Sequence, residues 1–145
     1  MTNPRPYRGK TKDGKWVYGH YYIKHRHLIK PRHIISEPHP MGDEYEVIPS
    51  TVSQSTGEYD DNKKEIYKGD LFRTSDKHGF ASNCIAEVVF VDGAFAVQLY
   101  RGDELEVGAE ILPHFKRLYR DSYKVIGDVY DNGDLLNDSE NTKTN

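Results

Sequence analysis

The apolar residues of this chain come in short groups, and a turn signal ends each group before it reaches helical length. Trp16-Val17-Tyr18-Gly19-His20-Tyr21-Tyr22-Ile23 is rich in aromatic and β-branched residues and follows Lys12-Asp13-Gly14-Lys15. Such side chains suit a pleated surface, and Asp-Gly supplies the backbone of a tight turn. The segment therefore reads as the second arm of a hairpin whose first arm ends near Arg8. Leu28-Ile29 and Ile34-Ile35 flank Pro31, which has no N–H to give a ladder, so short edge strands are expected there. Tyr45-Glu46-Val47-Ile48 reads as a strand stopped by Pro49, while Ser50-Thr51-Val52 fits a helical turn or a strand equally. Residues 57–64 are polar and read as a turn, and residues 65–73 as a turn entering a strand. Asp92-Gly93 is the strongest hairpin signal, joining strands over 85–91 and 94–100. One short helix is expected within 104–119, limited by Gly108 and Pro113, and a closing strand over 123–130.

Many short strands with frequent turns predict a mainly β fold. The expected layout is an N-terminal basic, aromatic-rich β element over residues 1–50 and a connecting turn segment over 51–64. A small SH3-like β-barrel region over 65–136 and a disordered tail over 137–145 follow, with few short helices throughout.

Composition narrows the class further. Charged residues make up 30% of the chain and the mean hydropathy is −0.81, values that lean toward disorder. The 11 Tyr, 5 Phe and 1 Trp lean back, because disordered chains are poor in aromatics. No run approaches the ~18 apolar residues of a membrane helix. The first residues have no apolar stretch behind them, so no signal peptide and no membrane association are expected, and the expected compartment is the bacterial cytoplasm. Cys84 is the sole cysteine, which excludes an internal disulfide and every multi-cysteine zinc or iron–sulfur signature.

Charge is divided along the chain: residues 1–36 sum to +8, and the remainder to −11. The basic part interleaves Lys12, Lys15, Lys24, Arg26, Lys30 and Arg32 with Trp16, Tyr18 and Tyr22, and these nine residues are the candidate contact set. A basic, aromatic surface fits nucleic acid, since cations neutralise phosphates and rings stack on bases. It also fits self-neutralisation against an acidic surface of the same or a neighbouring chain. The second reading is preferred, because a dedicated DNA binder usually has a pI above ~9 and this chain has 6.1.

Tyr7-Arg8-Gly9-Lys10 and Trp16-Val17-Tyr18-Gly19 resemble the opening of the YopX family. Thr51-Val52-Ser53-Gln54-Ser55-Thr56-Gly57 sharpens the match. Asp60-Asp61-Asn62-Lys63-Lys64-Glu65-Ile66-Tyr67-Lys68-Gly69-Asp70 carries it best. Val125-Ile126-Gly127-Asp128-Val129-Tyr130-Asp131-Asn132, then Leu135-Leu136, completes it. Two family glycines are replaced, by Lys63 and Ser53, so the turn at Asn62-Lys63 is expected to be longer or looser. The resemblance implies a β-rich, self-associating phage or prophage protein, and supplies no catalytic activity and no ligand. The matching residues read as structural, with glycines for turns, Ile66, Tyr67, Val125 and Ile126 for packing, and Asp70 for a turn hydrogen bond.

Three groups could carry chemistry. His25 and His27, two apart on a strand, with His33 and His39, have the makings of a zinc site, but Lys24 and Arg26 oppose a second cation there. Asp70, His78 and Cys84 contain the residue types of a nucleophilic triad without a surrounding motif. Asp103, Glu104, Glu106 and Glu110 form an acidic group that suits a solvated face, or an inhibitor of a nucleic-acid-binding or defence protein. None of these is assigned as catalytic, metal-binding or cofactor-binding. The expected function is non-enzymatic binding of a host or phage protein by a homo-oligomer, with nucleic-acid binding through residues 8–32 as the alternative.

Overall fold

The computed structural model describes residues 5–38, 40–75, 83–101 and 104–135, with residues 104–108 described by backbone alone. The chain is mainly β and divides into two compact units, residues 1–57 and 58–145. The division falls between Gly57 and Glu58.

The first unit grows from the β1–β2 hairpin, β1 being Tyr7–Lys10 and β2 Trp16–Arg26. Their register runs from Tyr7 opposite Gly19 to Lys10 opposite Trp16. β3 (Ile29–Ser36) pairs with the far side of β2, and β4 (Glu44–Glu46) with β3. After a 3-10 turn over Pro49–Thr51, β5 (Ser53–Tyr59) returns beside β1. The core is small: Val17, Ile35 and Val47 are buried, with Tyr7, Tyr21, Tyr45 and Val52 packed against them. Gly9 serves close packing, since a Cβ there would lie 3.1 Å from Ile35 and Val47.

Pro31 was expected on a short edge strand, yet it lies inside the eight-residue β3. Two features admit it. The β2–β3 register shifts between Lys24–Arg32 and Arg26–Ile29, so Lys30 and Pro31 together face His25 in a bulge. β4 pairs only with Ile34, Ile35 and Ser36, so its pairing stops short of the proline. A proline without an N–H is tolerated at bulges and unpaired edges. Within the segment expected to be a connector, 53–59 is strand.

The second unit holds a five-stranded antiparallel sheet in the order β10-β9-β8-β7-β11. Its strands are β7 (Asp70–Arg73), β8 (Ile85–Val91), β9 (Ala94–Arg101), β10 (Glu104–Ile111) and β11 (Gly127–Asp128), and β6 (Glu65–Tyr67) precedes them. The Asp92-Gly93 turn forms as its residue types require, with φ of 51° and 80°. β10 and β11 stand at opposite edges, so the sheet is open and is not a closed barrel. The one short helix expected within 104–119 forms, but only in the second half of that range, since residues 104–111 pair as a strand. Helix α1 (Leu112–Leu118) has Pro113 in its first turn. Proline at that point initiates a helix, because its missing N–H would have had no partner anyway. The expected closing strand shrinks to Gly127–Asp128, pairing with Leu71 and Asp70. Ten buried residues form this core, among them Ile66, Phe72, Val88, Leu99, Phe115 and Tyr123. The expected tail over 137–145 lies outside the described residues.

Candidate functional site

The β2 pleat sorts the candidate aromatics as alternation predicts. Val17 and Gly19 are buried, while Tyr18 is 48% exposed and His20 is exposed. Trp16 is half-buried, with the Arg8 guanidinium 4.6 Å and the Lys10 ammonium 5.5 Å from its ring. Arg8 is itself buried and donates from Nε to Ser53 Oγ at 3.1 Å. Trp16 is thus a packed, cation-covered ring, and Tyr18 the open one.

Beyond its neighbours the first sheet narrows to a two-stranded ribbon. β1 accompanies β2 only from Trp16 to Gly19, and β4 accompanies β3 only from Ile34 to Ser36. Residues 23–31 are all exposed. The ribbon ends on His27-Leu28, where Leu28 is 92% exposed with φ of 60°, followed by Ile29 at 59%. A left-handed leucine costs about 1–2 kcal/mol, and a large apolar side chain in water gains nothing there to offset it. Strain and exposure thus coincide at one residue, in the turn that joins β2 to β3.

The candidate cations part company. Lys24 lies 3.2 Å from Glu44, and Arg32 3.1 Å from Glu46, so the acidic face of β4 neutralises the basic face of the β2–β3 ribbon. Tyr22 donates its hydroxyl to Glu44, which raises the Tyr22 pKa and lowers that of Glu44. Lys15 sits 5.5 Å over the Tyr45 ring. Arg26 is exposed on the ribbon.

Lys12, Lys30 and Arg32 instead line one cleft of about 390 Å³. One wall is β3 from Lys30 to His33. The other is the chain leaving β4, whose Val47, Ile48 and Pro49 give an apolar lining together with Pro31. Backbone bonds fix these walls: Val47 N–H donates to the His33 carbonyl at 2.9 Å and Ile48 N–H to the Lys10 carbonyl at 2.8 Å. His33 is held by Tyr21, its Nδ1 lying 2.5 Å from the hydroxyl and the rings stacking at 5.9 Å. The sequence reading missed Glu44, Glu46 and the apolar wall. The signal was there in the alternation of Glu44 and Glu46 on a strand that follows a basic one.

The other groups scatter. β2 ends at Arg26, so His27 lies in the turn and does not share a strand face with His25, contrary to the expected spacing. His33 faces Tyr21, and His39 lies outside the described residues. Among the described residues no three His, Cys, Asp or Glu side chains gather as a metal site. Cys84 is buried, its N–H donating to Thr74 Oγ1 at 2.8 Å and its sulfur accepting from Arg101 at 3.7 Å. Asp70 accepts the Tyr67 N–H at 2.8 Å, the turn bond expected of it. His78 and Asp103 lie outside the described residues, as do the side chains of Glu104 and Glu106. Glu110 pairs with His114 at 2.6 Å.

The best-matching family segment builds scaffold. Asp60 is buried and accepts three backbone N–H groups, from Asn62 at 2.9 Å, Lys64 at 2.8 Å and Val125 at 2.9 Å. The turn it organises is tight, closed by Asp60–Lys64 and Lys63–Asp60 backbone bonds, and not the longer or looser loop expected without the family glycine. Lys63 takes a φ of 63° in the place of that glycine. Asp128 likewise accepts the Tyr130 and Asp131 N–H groups.

Fold and surface together define a two-unit antiparallel β protein with a basic ribbon and cleft on its first unit. The YopX protein family model matches residues 6–137, and the chain belongs to that family. Its fold is similar to the crystal structure of protein EF1440 from Enterococcus faecalis, with a TM-score of 0.54 and 20% identity over 93% of this chain and 99% of that one. No curated protein matches the chain. No helix among the described residues is long and apolar enough to cross a membrane.

Proposed function

We propose that this YopX-family chain is a non-enzymatic accessory protein of a phage or prophage, working in the bacterial cytoplasm by binding proteins and by self-association. The exposed, backbone-strained Leu28 at the ribbon tip, beside Ile29, carries the reading. Apolar side chains held out on a ribbon are contacts for another protein, whereas nucleic acid asks for free cations. Here two of the six candidate cations, Lys24 and Arg32, are already paired, and the whole chain carries −3. The second unit is read as an opened relative of the SH3-like barrel, on the strength of its five short antiparallel strands.

Sedimentation velocity across a concentration series tests this. Wild type is expected to self-associate, and Leu28→Asp with Ile29→Asp to sediment as a monomer with an unchanged circular dichroism spectrum. A wild type that stays monomeric throughout overturns the self-association. Duplex DNA binding with a log–log salt slope of about −0.9 per phosphate contact, abolished by Lys12→Gln, Lys15→Gln, Lys24→Gln and Arg26→Gln, would transfer the function to nucleic acid.

A further inference from the structure

We infer that the cleft beside β3 is a docking site for an acidic, extended segment of a partner protein, one that carries an apolar side chain between carboxylates. The inference rests on the protein-binding reading and gives the partner its chemistry. The cleft combines an apolar lining, from Pro31, Val47, Ile48 and Pro49, with cations at Lys12, Lys30 and Arg32. At about 390 Å³ it has room for side chains and lies within the usual range of small binding clefts. Lys12 and Lys30 are exposed and have no ion pair among the described residues, so their charge awaits an external anion. Arg32 already shows what that anion looks like: Glu46 Oε2 sits 3.2 Å from its Nε and 3.1 Å from its Nη2. A carboxylate thus lodges on the arginine fork at the cleft wall, and Glu46 is a built-in competitor for any incoming one.

Backbone pairing does not account for recognition here. Pro31 has no N–H, so a partner strand cannot ladder along this stretch of β3, and docking depends on side chains. That favours charge and apolar fit over the sequence-blind zipping of a sheet edge. A nucleic acid strand would leave the apolar lining unused.

The test uses the full chain and a dye-labelled synthetic peptide of four glutamates around one central leucine, followed by fluorescence anisotropy. Its glutamine counterpart is the control. The acidic peptide is expected to bind and the glutamine peptide not. Lys12→Gln and Lys30→Gln are each expected to weaken binding about two- to fivefold. Glu46→Gln is expected to tighten it by a similar factor, because it removes the internal competitor and frees Arg32. Equal binding of the two peptides, or an unchanged or weakened affinity in Glu46→Gln, overturns the inference. So does displacement of the peptide by inorganic phosphate or a short oligonucleotide at the same concentration, which would make the cleft a general anion site. If the peptide fails while self-association still depends on Leu28 and Ile29, only the cleft inference falls and the protein-binding reading stands.

Discussion

Among the described residues, three buried apolar ones, Val17, Ile35 and Val47, make the core cluster of the first unit, against ten buried residues in that of the second. The second unit stacks Phe72 on Tyr123 at 5.4 Å and tilts Phe115 against both. The first unit relies on half-buried rings instead, Tyr7 against Tyr21 at 5.5 Å and Tyr21 against His33. On the proposed binding function, the difference amounts to a division of labour within one short chain. The second unit gathers the larger interior, while the first leaves Leu28 92% exposed, the most exposed of the described large apolar residues, and arranges its charges along a ribbon and a cleft. Stability should therefore be most sensitive in the second unit and binding in the first.

Core deletions in the full chain put that contrast to its sharpest test. Phe115→Ala is expected to cost about 3–5 kcal/mol, through lost burial and the cavity left behind. Val17→Ala is expected to cost about 2 kcal/mol, because it removes two methyl groups from a thinner core. Guanidinium unfolding midpoints measure both, and equal losses would erase the distinction between the units.

Alkaline pH should strike the second unit next. Burial, reinforced by Glu58, Asp61 and Asp60, raises the Tyr123 hydroxyl from 10.0 to about 12. Its unfolded form releases the proton first, so the folded state holds more protons between those values and stability falls as pH rises through that window. The loss is about 2–3 kcal/mol when complete. Tyr123→Phe should flatten the decline in an unfolding series from about pH 9 to 12. A decline of the same depth in the variant would assign it to other groups.

The smallest expected effect is at Lys63, whose φ of 63° is one that glycine adopts without steric cost. Lys63→Gly should stabilise the second unit by about 0.5–1 kcal/mol, relief of left-handed strain outweighing the extra freedom of the unfolded chain. Thermal unfolding measures it, and a lower melting temperature would mean that entropy dominates at this turn.

Much of the fold was legible because its signals are local. Asp92-Gly93 specifies its own turn, and the alternation of Val17, Tyr18 and Gly19 sorts inside from outside. Where the reading failed, a neighbour decided. Pro31 does lie on an unpaired edge, but a bulge carries one long β3 through it where short separate strands were expected. Pro113 looked like a limit on a helix and instead opens one, after a strand that β9 holds in place. Asn62-Lys63 looked too poor in glycine for a tight turn, but the Asp60 carboxylate ties it down. For the expected contact set, the sorting of its cations into paired and unpaired was not legible, since Glu44 reaches Lys24 across β3 and Glu46 reaches Arg32 from the neighbouring strand.

From the order of its residues alone, the chain fixes a mainly β character, the hairpin turns and the division between a basic beginning and an acidic remainder. These follow from conformational preferences and charges that each residue carries wherever it is placed. Which cations stay available, which rings are covered and where a cleft opens depend on strand register. Register brings residues far apart in sequence to within a few ångströms, and at that range Coulomb attraction and exclusion of water select among surfaces that composition leaves equal.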